Sequence, residues 1–509
     1  MAVARRPFLV LRSCGLAVLQ SLRPSVPLSP PLFVFRRVPH AACRSSPRAL
    51  RPAPRALCPV PRALLKLFTY FVIFALSKNQ HDMKISRRNE ISSTFFAAGM
   101  LFIVSVIAGC ARQDLPQNEW PCFHGPDRGN KSPETGLLRE WPEEGPELLF
   151  TVNGLGEGFS SVSIADGMIF TAGSVDSQPW VFAFDLTGKL LWKAAAGEAW
   201  STTARHASSY TGARGTPTYD DGVVYYLGEM GRLSAMEAAT GKELWVKDLS
   251  VEYEAPGTEY GYSESVYIDG DNLYVRPAGK KGYKVCLNKH DGSLVWANTE
   301  IPGVEGYSSP VVHEFGGYRQ VIGASSIGYY SVDAATGKLL WKVDFINRHD
   351  CNITDAVVSG EHVFVTSGYG RGSMMFRINV SDTGMVPEEV WEFIPFDNHH
   401  GGVILHEGYL YGSGSQSKGW FCVDFLTGEQ MWKVTGDEAA ITYADGMIYM
   451  LDQRGTMTLF KATPEKYEIA GSFRIPEGGK GMHWAHPVVC GGRLYIRHDD
   501  RLFVYGIKG

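Results

Sequence analysis

Beyond residue 82 the chain is short of positive charge. Of its 49 basic and 53 acidic residues, 13 basic and one acidic (Asp82) fall in residues 1–82, which leaves 36 basic against 52 acidic for the rest. Such an acidic excess argues against nucleic acid as the partner, because neutralising phosphates needs a basic surface. Paired cysteine motifs are missing as well. After residue 110, Cys122, Cys286, Cys351, Cys422 and Cys490 stand far apart with no C-x-x-C spacing. That argues against a zinc or redox motif and for buried small hydrophobes. There is no Gly-x-Ser-x-Gly nucleophile turn and no His-Glu-x-x-His helix. Gly412-Ser-Gly-Ser-Gln-Ser417 lacks the third glycine and the following helix of a dinucleotide loop, and reads as a hairpin.

What is present begins with a leader. Residues 1–82 are rich in Arg, Pro and Leu without a sustained period, and read as an over-extended gene start or a disordered extension. Met83 opens a segment with Lys84, Arg87 and Arg88, then an apolar stretch from Phe95 to Ala108, then Ile107-Ala-Gly-Cys110. This is the pattern of a bacterial lipoprotein signal: residues 83–109 are cut off, small residues admit the peptidase, and the Cys110 thiol takes the lipid. A retained membrane-spanning anchor is the other reading. The expectation is an exported protein of the bacterial cell envelope, periplasmic or outer-membrane-associated, membrane-anchored through its lipid and monomeric. Residues 110–146 form an N-terminal segment, and 147–509 form the folded domain.

One phrase recurs along that domain: a strand ending in Asp or a stand-in, then Thr-Gly-Lys, then a strand bearing Trp. It reads Asp185-Leu-Thr-Gly-Lys189-Leu-Leu-Trp192, and returns before Trp245, Trp296, Trp341 and Trp432, more loosely before Trp391, and with Phe473 in the aromatic place. The aromatic positions lie 41 to 53 residues apart, the size of one four-stranded propeller blade. The Asp side chain caps the turn it opens, and Gly takes the positive φ that ends it. Seven units run from about Ser160 to Ile475, and His486 to Ile507 supplies three strands of an eighth. Glu147-Leu-Leu-Phe-Thr-Val152 resembles the missing strand, with Phe150 in the Trp place. The fold expected is therefore all-β: an eight-bladed β-propeller of four-stranded antiparallel blades, its ring closed by an N-terminal strand so that no sheet edge stays open.

The repeat is similar to the tryptophan-docking motif of the pyrroloquinoline-quinone-like (PQQ-like) propeller superfamily, in which the Trp packs between neighbouring blades. Trp120-Pro-Cys-Phe-His-Gly-Pro-Asp-Arg128 also resembles the Trp-Pro-x-Phe-Arg-Gly-Pro-x-Arg opening of many exported bacterial propellers, with His124 where Arg is usual. The resemblance implies one of two classes. Quinoprotein dehydrogenases hold PQQ with calcium over the channel, between a stacking Trp and a base Asp. BamB-like envelope propellers act as non-catalytic scaffolds. No adjacent Cys pair and no Glu, Asn and Asp set matching the calcium ligands is found here. The expectation is accordingly a ligand-binding or protein-interaction scaffold with no assigned catalytic residue, whose partner is an envelope protein or a small polar ligand. The alternative is a PQQ-dependent alcohol dehydrogenase.

The loops leading into each unit's first strand carry the unusual residues: Arg205, His206, Tyr210 and Arg214, then Tyr260, Tyr262, Ser263 and Glu264, then Tyr307 and Ser308. Further on come Arg348, His349 and Asp350, then Asp397, His399 and His400, then His483, Trp484 and His486. Equivalent places in successive units should converge on one channel mouth, the default ligand site. Three chemistries are open there. His399, His400 and His486 suit a metal, with Asp350 or Glu264 as an oxygen ligand, although adjacent strand residues point to opposite faces unless the chain bends. Arg214 with Tyr262 and Trp484 suits an acidic or sugar-like ligand. The third is that these groups bond one another and close the channel.

Overall fold

The computed structural model describes residues 119–382 and 384–509. The readings of the leader, the signal peptide and Cys110 lie outside the described residues. Eight antiparallel sheets make eight blades. Blades 1 to 7 each run in sequence order from the innermost strand outward, beginning with Ser163–Ala165, Thr218–Asp220, Tyr267–Asp269, Val311–Phe315, Val357–Ser359, Val403–His406 and Ala439–Ala444. Blade 8 takes Val488–Cys490, Arg493–His498 and Arg501–Gly506 from the C-terminal end, and its outermost strand is Leu148–Asn153. The ring is thus closed by the N-terminal strand that the Phe150 segment predicts, with Phe150 opposite Val504.

The repeated phrase explains how blades are fastened. In blade 1, one Asp185 carboxylate oxygen accepts from the Thr187 amide (2.8 Å), the Thr187 hydroxyl (2.6 Å) and the Lys189 amide (3.0 Å). That capped turn starts the outer strand and sets Trp192 against the next blade, where its indole N–H donates to the Ala238 carbonyl at 2.8 Å. Trp245, Trp296, Trp391 and Trp432 do the same to Lys289, Ala334, Phe425 and Thr463. Trp341 departs from the pattern. Blade 5 has no Thr-Gly-Lys turn, and the Trp341 indole bonds Gln320 of its own blade at 2.9 Å.

In blades 2, 3, 4 and 6 the glycine of the turn is the floor on which the preceding blade's Trp lies, and in blade 1 Gly188 takes Phe150 in the same way. Gly241 sits at φ +71°, and a Cβ there would meet Trp192 Cε3 at 2.5 Å. Gly241→Ala is therefore expected to cost about 2–3 kcal/mol, from backbone strain and overpacking together. Gly270→Ala, also at positive φ but with nothing within 4 Å of the added atom, should lose only the strain. Urea unfolding of the two variants checks this, and equal losses would refute the docking role.

Residues 119–132 supply none of the blades' four antiparallel strands, although Trp120 is buried in the core between blades 8 and 1. They thread the central channel and pair with the free edges of innermost strands. Trp120 bridges Ile164 of blade 1, the Pro121 carbonyl accepts from Tyr219 of blade 2, and Lys131–Ser132 pairs in parallel with Tyr443 and Ala444 of blade 7. The Arg128 guanidinium donates to the carbonyls of Ser265 and Val266 at blade 3, and Lys131 Nζ to Leu405 of blade 6. This plug satisfies strand-edge groups that an empty channel would leave to water.

Candidate functional site

Above the plug lies a cavity of ≈ 300 Å³. Its floor is Phe123 and His124 of the plug, stacked at 3.8 Å. Its walls come mainly from the loops that lead into the innermost strands, with Tyr369 from the hairpin between His362–Ser367 and Gly372–Ser381. Arg214 and His486, on blades 2 and 8, both line it. So do Tyr210, Tyr260, Ser263, Tyr307, His399, His400 and Trp484.

Ten expected mouth residues lie elsewhere. Arg205 and His206 are exposed, with His206 paired to Glu259 at 2.7 Å. Tyr262 is buried between blades 2 and 3 and donates its hydroxyl proton to the Pro277 carbonyl, which takes it away from Arg214 and the clamp. Glu264 is held by Lys284 (2.9 Å) and Arg276 (3.7 Å) in a buried ion cluster. Asp350 is exposed at φ +54°. Neither of the two carboxylates expected as metal ligands therefore faces the histidines. The Ser308 hydroxyl is spent on the Ala324 amide. His349 packs at a tilt, outside the cavity, against Tyr369, whose ring lines it. Among the remaining loop residues, Arg348 lies over the same Tyr369 ring. Asp397 caps the 414–417 hairpin and the Gly370 amide, and His483 stacks on His498 at 3.6 Å.

The walls are aromatic. Tyr210 stacks on Trp484 (5.2 Å, 14°), Phe159 and His400 flank Trp484, and Tyr260 meets Tyr307 edge-on at 5.9 Å. Arg214 is the one Arg or Lys among the described lining residues. Its guanidinium lies 4.9 Å over Trp200 and donates to the Tyr210 carbonyl, while Nη1 is buried without a hydrogen-bond partner. Burial pulls its pKa down to about 10, which leaves it charged at neutral pH. Trp484 Nε1 is likewise buried and unpartnered. Burial raises the Cys351 thiol to about 12, so this wall cysteine is not a nucleophile.

A second group lies in the floor and one wall. His486 Nε2 faces the His400 carbonyl at 2.8 Å and must carry the proton there. Its Nδ1 then accepts from His124 Nε2 at 3.0 Å, and His124 Nδ1 lies 3.3 Å from an Asp355 oxygen. Beside them the chain bends at His399 and His400, so that the two adjacent rings turn to one side, Nδ1 to Nδ1 at 3.4 Å. Both face Glu438, whose Oε1 accepts from both their amides. Burial lowers His399 to about 4 and His400 to about 3, and raises Glu438. Sequence reasoning missed Glu438, His124, Asp355 and Tyr369. The signal for Glu438 was present, since it directly precedes the innermost strand Ala439–Ala444 just as the named residues precede theirs.

The wall can be tested against PQQ with calcium. Calcium takes six to eight oxygen ligands, and the described lining offers one carboxylate, Asp355, among imidazoles. PQQ is a flat tricarboxylate, and one guanidinium faces it. The residues present do not fit that pair.

A ring of eight four-stranded blades, five of them docked onto the next through a Trp indole, defines a PQQ-like propeller. Residues 177–434, half of the chain, match the family described as outer membrane protein assembly factor BamB, and the chain belongs to that family. Tetrathionate hydrolase of Acidithiobacillus ferrooxidans is 24% identical over 56% of this chain and 49% of its own length. BamB of Moranella endobia is 24% identical over 47% of this chain and 61% of its own. Quinohemoprotein alcohol dehydrogenase ADH IIB of Pseudomonas putida is 29% identical over 26% of this chain and 20% of its own. The chain thus spans about half the length of the hydrolase and a fifth of that dehydrogenase. Among solved structures, BamB of Moraxella catarrhalis superposes with a TM-score of 0.52 at 15% identity, covering 71% of this chain and all of that one. Quinohemoprotein alcohol dehydrogenase of Comamonas testosteroni gives 0.54 at 12% identity, covering 78% and 82%. These likenesses carry the fold.

Proposed function

We propose that this is an exported cell-envelope lipoprotein whose propeller binds a small, flat or aromatic organic anion above the channel plug. Hydrolase, assembly factor and dehydrogenase share the architecture, so the fold does not choose among them. The cavity carries the choice. Two of the donors among its buried, unpartnered polar atoms, Arg214 Nη1 and Trp484 Nε1, are groups that proteins leave unsatisfied only where something else completes them. An acidic group on the ligand satisfies both, and its apolar body lies against Tyr210, Tyr260 and Phe159. A pure interaction scaffold needs an exposed face and has no use for a closed-bottomed aromatic pocket. The Cys110 pattern supports envelope anchoring, and the acidic surface supports a partner other than nucleic acid.

The test is calorimetric titration of the purified chain with a panel of aromatic carboxylates, alongside PQQ plus calcium with a dye-linked alcohol oxidation assay. Saturable binding of a carboxylate is expected, weakened about 10- to 100-fold in Arg214→Met, the worth of a hydrogen bond to a charged group. Binding unaffected by Arg214→Met would remove the anion reading. Turnover with PQQ and calcium would replace it with the dehydrogenase.

A further inference from the structure

His399, His400 and Glu438 supply a feature that anion binding does not use. His399 Nδ1 and His400 Nδ1 are 3.4 Å apart, and Glu438 Oε1 lies 3.3 Å from the second and 3.9 Å from the first. A tetrahedral ion with ligands at 2.0–2.1 Å has ligand-to-ligand edges of about 3.3–3.4 Å. The three atoms therefore already stand close to one face of such a tetrahedron. We infer that His399, His400 and Glu438 form a binding site for a borderline divalent transition ion of the zinc type, with its fourth position open.

Several further observations carry this. Both imidazoles are largely buried, with side chains 14% and 9% exposed. Glu438 is fixed from behind: Gln453 Nε2 donates to Oε2 at 3.0 Å, and the His399 and His400 amides donate to Oε1. Metal-bound carboxylates characteristically receive outer support of this kind. Two imidazole nitrogens and one carboxylate suit zinc, cobalt or nickel better than calcium or magnesium, which take oxygen ligands. The bend at 399–400 is what makes the site possible, because a regular strand would send the two rings to opposite faces. The site stands independently of the anion reading, since none of its three ligand atoms belongs to Arg214 or Trp484.

The experiment uses the purified chain after chelator treatment. Zinc is titrated in competition with a chromophoric chelator, and cobalt is added separately to record its absorption. One equivalent of zinc is expected to bind, and cobalt should show the intense visible bands of a four-coordinate site. Glu438→Gln and His400→Gln should each weaken zinc by more than about 10-fold, the least that losing even an outer-sphere partner costs. Gln453→Met should weaken it about 10-fold, with thermal unfolding showing the variants folded. His290→Gln, on the exposed surface, should change nothing. Zinc that fails to bind would overturn the site. So would zinc or cobalt binding that Glu438→Gln and His400→Gln leave intact.

Discussion

Arg128→Ala is expected to lower stability by about 3 kcal/mol and to unfasten the channel plug. Arg128 is 5% exposed. Its guanidinium donates from Nη1 and Nη2 to the Ser265 carbonyl at 3.2 Å, and from Nη2 to Val266 at 2.5 Å, with the Tyr267 ring 5.0 Å beneath. Hydrogen bonds from a charged donor are worth about 1.5–3 kcal/mol each. Val266 keeps a second donor in the Thr218 hydroxyl, so the loss falls mainly on Ser265 and on the guanidinium's packing. Arg128→Lys should recover less than half, because a point charge cannot reproduce a fork that spans two carbonyls. Because the same segment carries Phe123 and His124, the floor of the cavity, loosening it should also reduce ligand affinity and expose the Gly125–Gly129 turn to proteolysis. Urea unfolding and limited digestion read these effects. If stability moves by less than about 0.5 kcal/mol and the turn stays protected, Arg128 does not hold the plug.

That role separates what the sequence makes legible from what it does not. The blades are legible because each is specified locally. Asp185 caps its own turn, Gly241 is required where Trp192 lies flat, and alternation sets the strand faces. Ring closure follows from counting, since a unit short of one strand finds it at 148–153. The plug is irregular, without period or turn grammar. Its place comes only from strand-edge groups 40 to more than 300 residues away, such as Ile164 and Ile441, the latter accepting from the Asn130 side chain. The mouth residues divide for a similar reason. Along 260–264, Tyr260 and Ser263 face the cavity while Tyr262 and Glu264 turn away from it. A loop's position in the repeat locates it without fixing which of its residues point inward. The link between His399, His400 and Glu438 needs a bend at 399–400, and strand periodicity argues the opposite.

The buried imidazoles also set how the protein meets acid. In the unfolded chain His399 and His400 titrate near the ordinary value of 6.5, whereas burial holds them at about 4 and 3 in the folded state. For His399 the neighbouring Glu438 opposes the shift, and His400 and His349 add to it. Between pH 6.5 and about 4 the unfolded chain thus binds protons that the native state refuses. Stability must fall as pH falls through that window, and it is unaffected above it. At pH 5 each imidazole sits about 1.5 pH units below its unfolded value, about 2 kcal/mol apiece, so the pair removes about 4 kcal/mol relative to pH 7.5. His486, also held well below its ordinary value by burial, acts in the same direction. Glu438 opposes them, because its raised folded value lets the native state take a proton first. Urea unfolding from pH 7.5 to 5 should therefore show its steepest loss below 6.5, with uptake of about two protons on unfolding at pH 5.5. The double variant His399→Asn, His400→Gln should flatten that slope while leaving stability above pH 7 less affected. A wild-type profile already flat between 6.5 and 5 would mean that these imidazoles are solvated. Zinc bound at the same three side chains would add a further proton-linked loss over the same window, since ligation requires the neutral rings. Repeating the series with and without zinc therefore separates burial from metal binding in one set of curves.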